Sequence, residues 1–327
     1  MTDTWTWATV TQATPLRIKV DGDTTALDAT TDNLVGSLAV DDRVRVHLHS
    51  DGIIVTGIQG GGNRSNPNLL INSNFMVNQE GNTSGASVAS GGYFLDGWLN
   101  PGGPSTLITW ADTGGVRTIT IGGGGAGYAQ QKVEATTLPA GTYTVSWEGT
   151  AKLYIWVLNP AYETSPVTFT TDGTADVKFQ FRGYGDTLRN AKLEQGSVAT
   201  PYQPPTYADN LRACMRYFQV LISSTQNGDE YGYQDAFYQT STIVYMPIKL
   251  RVMMRAEPTI VSSVGTGHFS IVSAGERDFM NSLSRGAGGS AGQVSLTNSA
   301  DVSGTAGNAG MLRSEVSTAY VYADARL

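Results

Sequence analysis

Val177-Lys178-Phe179-Gln180-Phe181-Arg182 alternates apolar and polar residues without a break. Successive side chains of an extended chain point to opposite faces. Val177, Phe179 and Phe181 therefore share one face, and Lys178, Gln180 and Arg182 share the other. Lys152 to Leu158 repeats the device, with Leu153, Ile155 and Val157 on one side and Lys152, Tyr154 and Trp156 on the other. Tyr143, Val145 and Trp147 face one way after the turn Leu138-Pro139-Ala140-Gly141. Such strands, punctuated by Gly, Pro and Asp from residue 68 to residue 201, predict a jelly-roll β-sandwich.

Outward from this centre the chain stays β. Towards the N-terminus, Trp5, Trp7 and Thr9 share a strand face, as do Leu16, Ile18 and Val20, and Val44, Val46 and Leu48. Asp21-Gly22-Asp23 and Ser50-Asp51-Gly52 supply hairpin turns. Four or five short strands within residues 1–60 predict a small OB-like barrel, a size that suits a docking module. The glycine-rich segment 61–67 reads as a linker. Towards the C-terminus, residues 202–327 open with a helix expected from Tyr207 to Val220. Leu211, Met215 and Phe218 recur there at helical spacing behind Pro205. Strands at Ile243-Val244-Tyr245, Ile248 to Met254, Ile260-Val261, His268 to Val272, Val294-Ser295-Leu296 and Ala319 to Tyr322 then predict a second sandwich. The fold class is all-β with one helix.

Composition agrees. The chain has 39 glycines in 327 residues, about 12% against a usual value near 7%. Runs such as 60–62, 122–125 and 286–292 favour turns over helices. A net charge of −7 argues against nucleic acid as the main partner, since phosphate binding needs a basic surface. No apolar stretch approaches the ~20 residues of a membrane-spanning helix. The start, Met1-Thr2-Asp3-Thr4-Trp5, lacks the pattern of a secretion signal. Synthesis in a cytoplasm is expected, and action outside the cell would require release by lysis.

Little in the sequence speaks for catalysis. The one cysteine, Cys214, excludes an internal disulfide and sits among expected core positions of the helix. His47 and His49 share a strand face, but no third metal ligand is evident. Glycosidic cleavage needs a pair of carboxylates at a set separation. Glu148, Asp172, Glu194, Asp229, Glu230 and Asp235 are scattered, and no spacing singles out two of them. Gly122 to Gly127 lacks the Lys-Ser/Thr tail of a phosphate loop. No enzyme and no cofactor are expected, with room left for a structural calcium ion in the middle segment.

The aromatic residues carry the functional signal. Sugars bind on flat aromatic faces, with amides or guanidinium groups reaching their hydroxyls. Trp147 belongs to a core face. Tyr154 and Trp156 oppose one and so look outward. If the strand with Gln180 and Arg182 lies in the same sheet, these groups share one surface, open to a ligand or to a neighbouring subunit. Trp98, Tyr154, Trp156, Gln180 and Arg182 are the candidate carbohydrate-binding residues.

Several phrases resemble known proteins. Asn68-Leu69-Leu70-Ile71-Asn72-Ser73-Asn74-Phe75, with Asp96-Gly97-Trp98, resembles the opening of carbohydrate-binding sandwich modules and of tail proteins of tailed bacteriophages. Ala191-Lys192-Leu193-Glu194-Gln195-Gly196-Ser197-Val198-Ala199-Thr200-Pro201-Tyr202, leading into Leu211 to Phe218, resembles the junction before the C-terminal domain of phage tail fibre and minor tail proteins. Met254-Arg255-Ala256-Glu257-Pro258-Thr259 and the ending Tyr322 to Leu327 match the same group. Trp7 to Val10, Arg17 to Asp23 and Asp42 to Val46 resemble short barrels of minor tail proteins. The resemblance implies a virion protein of the tail tip or tail fibre, commonly a homotrimer. Residues 1–60 would dock to tail-tip or baseplate proteins. The distal sandwiches would bind a host cell-surface polysaccharide, with the glycine-rich loops Arg285 to Gly292 and Ser303 to Gly310 as host-facing candidates. A glycan-degrading depolymerase and a purely architectural tail protein are the alternatives. No sugar-contacting motif of the family carries over residue by residue.

Overall fold

A computed structural model describes residues 4–13, 16–26, 31–33, 43–49, 52–58, 66–102, 105–122, 125–223 and 232–327. They form an all-β protein with one α-helix among the described residues, Tyr207–Met215. The chain divides into two compact units, Met1–Pro67 with Ser197–Gln203, and Asn68–Gly196 with Pro204–Leu327.

The first unit is a five-stranded sheet. Leu16–Val20, Thr4–Ala13, Arg43–His49, Gly52–Ile58 and Thr31–Asn33 lie in that order. The last pair is parallel and the others are antiparallel. This is an OB-like order. Its core is Ala8, Val10, Ile18, Val20, Val44, Val46, Ile53 and Val55. Trp7 lies on the opposite face of its strand and is exposed. The expected linker falls mostly outside the described residues.

The second unit holds two hydrophobic cores. The first lies between two six-stranded sheets. One sheet runs Val167–Thr171, Gly141–Glu148, Asp186–Gln195, Val116–Ile121, Thr106–Thr113, Ser87–Val88. The other runs Asn159–Glu163, Lys152–Ile155, Val177–Gly183, Gly127–Val133, Trp98–Leu99, Tyr93–Leu95. Val145, Trp147, Leu153, Ile155, Phe179 and Phe181 fill the space between them. The second core lies between the three-stranded sheet Phe218–Ser223, Tyr320–Asp324, Thr259–Ser262 and a seven-stranded sheet. That larger sheet is centred on Gly232–Thr240, with Ala309–Ser314 and Ile243–Lys249 on either side. The expected boundary near residue 201 thus separates two cores that belong to one compact unit.

Two expected elements end early. The helix stops at Met215, and Phe218 opens a strand. Phe218-Gln219-Val220-Leu221-Ile222 is rich in β-formers, and pairing with Tyr320–Asp324 outweighs its helical spacing. The helix buries Asn210 and Cys214 rather than Leu211 and Met215. Burial raises the Cys214 thiol well above its ordinary pKa. The strand from Lys152 likewise stops at Ile155. Val157, expected on the core face, is 89% exposed at φ +71° on the turn to Asn159–Glu163. A β-branched residue rarely adopts that conformation.

Three of the phrases that carry the resemblance, around Asn72, Gly97 and Arg326, lie in the second unit where its two cores join. Asn72 is buried, and its amide donates to Val77 O at 2.8 Å and to Asp96 O at 2.9 Å. Its backbone N–H donates to Asn210 Oδ1 on the helix at 2.9 Å, and Asn210 in turn donates to Asn74 Oδ1 at 2.8 Å. Gly97 has φ +76°, and a Cβ there would lie 2.9 Å from the Ile71 side chain, so this turn requires glycine. Arg326 pairs with Glu80 and Asp324 and lies over the rings of Tyr93 and Phe218. Tyr93 donates to Leu327 O at 3.1 Å, and burial pushes its phenol up to about 12, against the pull of Arg326. The cavity lined by Tyr93, Leu99, Tyr217 and Arg326 measures ≈ 20 Å³, room for a water and not for a sugar.

Glu134 is the ionic hub of this seam. It accepts from Arg216 at 3.1 Å, from Tyr217 at 3.0 Å and from Arg255 at 3.1 Å. Burial pushes its carboxyl up, but these three donors outweigh burial and leave the pKa lowered. A lowered folded pKa means stability that is fully present above the ordinary value of 4.5 and is lost as pH falls through the folded value. Glu134→Gln should cost about 1–2 kcal/mol at neutral pH, discounted because the Arg216 side chain is 48% exposed. Denaturation curves should show that the loss disappears in acid, where the wild type also loses its carboxylate.

Candidate ligand-binding face

The site is built on the outer face of the sheet that contains Val177–Gly183. Within that strand Val177, Phe179 and Phe181 are in the core, which leaves Lys178, Gln180 and Arg182 outward. On one side Lys152 stands opposite Arg182 and Tyr154 opposite Gln180. On the other side Tyr128, Gln130 and Lys132 stand opposite Arg182, Gln180 and Lys178. Cross-strand partners point the same way, so all eight of these residues share one surface.

Hydrogen bonds and stacking fix the middle of this surface. The indole N–H of Trp156 donates to Gln180 Oε1 at 3.0 Å, and Gln180 Nε2 donates to the Tyr162 hydroxyl oxygen at 3.1 Å. This relay sets the direction of a 6% exposed amide that would otherwise rotate. The Tyr154 ring lies 5.5 Å from Trp156, edge to face, and 5.3 Å from Tyr162. Arg182 lies over the Tyr162 ring at 3.7 Å and near Tyr184 at 5.4 Å. Lys178 Nζ is 5.7 Å from the Trp156 ring. Burial, followed by the neighbouring Tyr128, raises the Tyr162 phenol, which therefore stays protonated at neutral pH. Trp156 is 45% exposed and Tyr184 62%, so two ring faces remain open to a ligand. Aromatic faces, oriented amides and cationic heads side by side can pack on the C–H face of a sugar and bind its hydroxyls.

Of the five sequence candidates, Tyr154, Trp156, Gln180 and Arg182 come together here. Trp98 does not, and it is withdrawn from the face. It is fully buried, 4.9 Å from Phe75 and 5.9 Å from Phe181, with its indole N–H on Asn72 O at 2.9 Å. Its neighbour Leu99 pairs with Gln130 and takes the outer side, which turns Trp98 inward. Sequence reasoning missed Tyr162, Tyr128 and Tyr184. Tyr162 sits on the strand after the turn at Val157, and Asn159-Pro160 was the local signal that the chain had turned.

The other sequence candidates lie elsewhere. Glu194 is fully buried and paired with Lys192 at 3.2 Å. Glu148 binds Arg189 and Asn190, Asp172 closes a turn onto Thr174, and Asp235 is exposed on Gly232–Thr240. Asp229, Glu230 and the His49 side chain fall outside the described residues. His268 Nδ1 lies 3.0 Å from Ser263 Oγ. No three His, Cys, Asp or Glu side chains cluster for a metal among the described residues. Among those residues, too, no helix is long and apolar enough to cross a membrane. The glycine-rich loops of the C-terminal lobe are hydrogen-bonded, with Gly286 N–H on Ser295 O and Gly307 N–H on Tyr238 O. No protein-family model matches the chain, and no curated protein matches it.

Proposed function

We propose that the chain is an adhesive tail protein of a bacteriophage that binds a host cell-surface polysaccharide through the Tyr154–Trp156–Tyr162–Gln180–Arg182 face. The observation that carries the binding half is that outer face, where exposed rings flank an amide held in one orientation by two side-chain partners. The tail assignment rests on the sequence phrases that resemble tail fibre and minor tail proteins. Under this reading residues 1–60 dock to the tail tip or baseplate, and a homotrimer presents three copies of the face. Three copies raise avidity for a repeating polymer without any new contact.

Trp156→Ala tests the binding half. Trp156 lies on a turn and is half exposed, so the substitution should leave the chain folded, with a stability loss of about 1–2 kcal/mol from the indole donor that Gln180 Oε1 loses. A central aromatic anchor is worth about 2 kcal/mol or more, on the order of a 30-fold loss of affinity. Pull-down of the full chain on host cells, before and after removal of cell-wall glycan, reads the effect. Equal binding by wild type and variant would sink this assignment of the face.

A further inference from the structure

The charge on this face is unusual for its chain. The protein carries a net −7, yet Lys132, Lys152, Lys178 and Arg182 gather on one side of one sheet. Two cross-strand pairs are like-charged, Lys152 opposite Arg182 and Lys132 opposite Lys178. Like charges in direct opposition weaken a sheet. Asp176 offsets Lys132 at 2.9 Å. Lys152, Lys178 and Arg182 have no carboxylate within 4.0 Å among the described residues. Asp186 is within electrostatic reach of Lys152 and Arg182, but its carboxylate already accepts the Tyr184 N–H at 2.9 Å, and it supplies one negative charge. The rings of Tyr162 and Trp156 give Arg182 and Lys178 neighbours but no neutralising charge, whereas an anion bound across the face would relieve the repulsion.

The spacing suits a polymer. Lys178 and Arg182 are four residues apart on one strand, about 13 Å at ~3.3 Å per residue. Between these cationic ends lie Gln180 and Tyr154, and Trp156, beside Lys178, reaches its indole N–H back to Gln180. Arg182 lies over the Tyr162 ring at 3.7 Å, and a guanidinium can form two parallel hydrogen bonds to a carboxylate or phosphate.

Resting on the reading of this face as glycan-binding, we propose that its ligand is an anionic polysaccharide. Negative groups on separated units, uronate carboxylates or phosphodiesters, meet Lys152 with Arg182 at one end and Lys178 at the other. The sugar ring between them packs on Trp156.

The test measures affinity of the full chain for polygalacturonate, its methyl ester, a phosphodiester-linked mannan and dextran. Wild type should bind one or both of the anionic polymers at least about tenfold more tightly than the methyl ester and dextran. That preference should shrink at high ionic strength. Which anion binds distinguishes carboxylate from phosphodiester as the recognised group. Lys152→Gln with Lys178→Gln should abolish the preference while leaving the rings in place. Equal affinity for the anionic and the neutral polymers, lost from all of them in Trp156→Ala, overturns the anionic ligand and leaves the glycan reading standing. Anion binding that survives Trp156→Ala but not the lysine substitutions is plain polyelectrolyte adhesion and overturns both. Binding to none of the four overturns the anionic ligand, and the pull-down on host cells decides the glycan reading separately.

Discussion

Trp98→Ala should destabilise the sandwich by about 4–5 kcal/mol. Removing a buried Trp leaves a cavity and typically costs ~3–5 kcal/mol. It also strips the Asn72 carbonyl of its indole donor at 2.9 Å, although that oxygen keeps the Phe75 N–H. The rings of Phe75 and Phe181, at 4.9 and 5.9 Å, lose their common neighbour. Trp98→Phe keeps most of the volume, loses the donor and should cost about 1–3 kcal/mol. Chemical denaturation gives both values. Trp98→Phe should still bind glycan as wild type does, because the residue is fully buried. A binding defect in a variant that stays folded would return Trp98 to the ligand face.

Asn72→Ala should rank beside it, at about 4 kcal/mol. Four side-chain hydrogen bonds vanish together: those donated to Val77 O and Asp96 O, and those accepted from the Val77 N–H and from Asn210 Nδ2. Each is worth roughly 1 kcal/mol net, more where the partner is left buried and unsatisfied. The backbone at φ +45° also suits Asn better than Ala. Asn72→Asp keeps the two acceptors but turns a carboxylate towards two carbonyls, which raises the folded pKa of the introduced acid. Its destabilisation should therefore be full at neutral pH and ease as the pH falls towards the ordinary Asp value near ~3.9. The ratio of the neutral and acid denaturation midpoints measures this. A pH-independent loss would mean that the donors do not matter.

The prominence of Asn72 and Trp98 explains which parts of the sequence spoke clearly. The phrases around Asn68 to Phe75, Asp96 to Trp98 and Tyr322 to Leu327 carry Asn72, Asp96, Trp98 and Arg326, whose polar groups pair within the second unit. They are signals of how the second unit is closed, and they name no ligand. Trp98 misleads a reading from sequence. A two-residue strand has no period, so nothing local shows which way its indole points.

The helix and the strand from Lys152 were read too long because local spacing gave no stop. Phe218 fits a helical stripe behind Leu211 and Met215, and Val157 fits the alternation behind Leu153 and Ile155. Strand pairing claimed the first, and a turn took the second. The misplaced turn hid Tyr162, although its ring carries Arg182 and its hydroxyl completes the Gln180 relay.

The sequence by itself determined the class of fold and the two faces of each long strand, because side-chain direction in an extended chain has a period of two and needs no partner to be read. It therefore placed Tyr154 with Trp156, and Gln180 with Arg182, each pair outward on its own strand. Only the tertiary structure decided that the two strands are neighbours, in a register that sets Tyr154 opposite Gln180 and Lys152 opposite Arg182. Register depends on contacts between residues far apart in the chain, and one residue of slip would reverse every face. The like-charged pairs that point to an anionic ligand exist only in that register and in the one that sets Lys132 of Gly127–Val133 opposite Lys178.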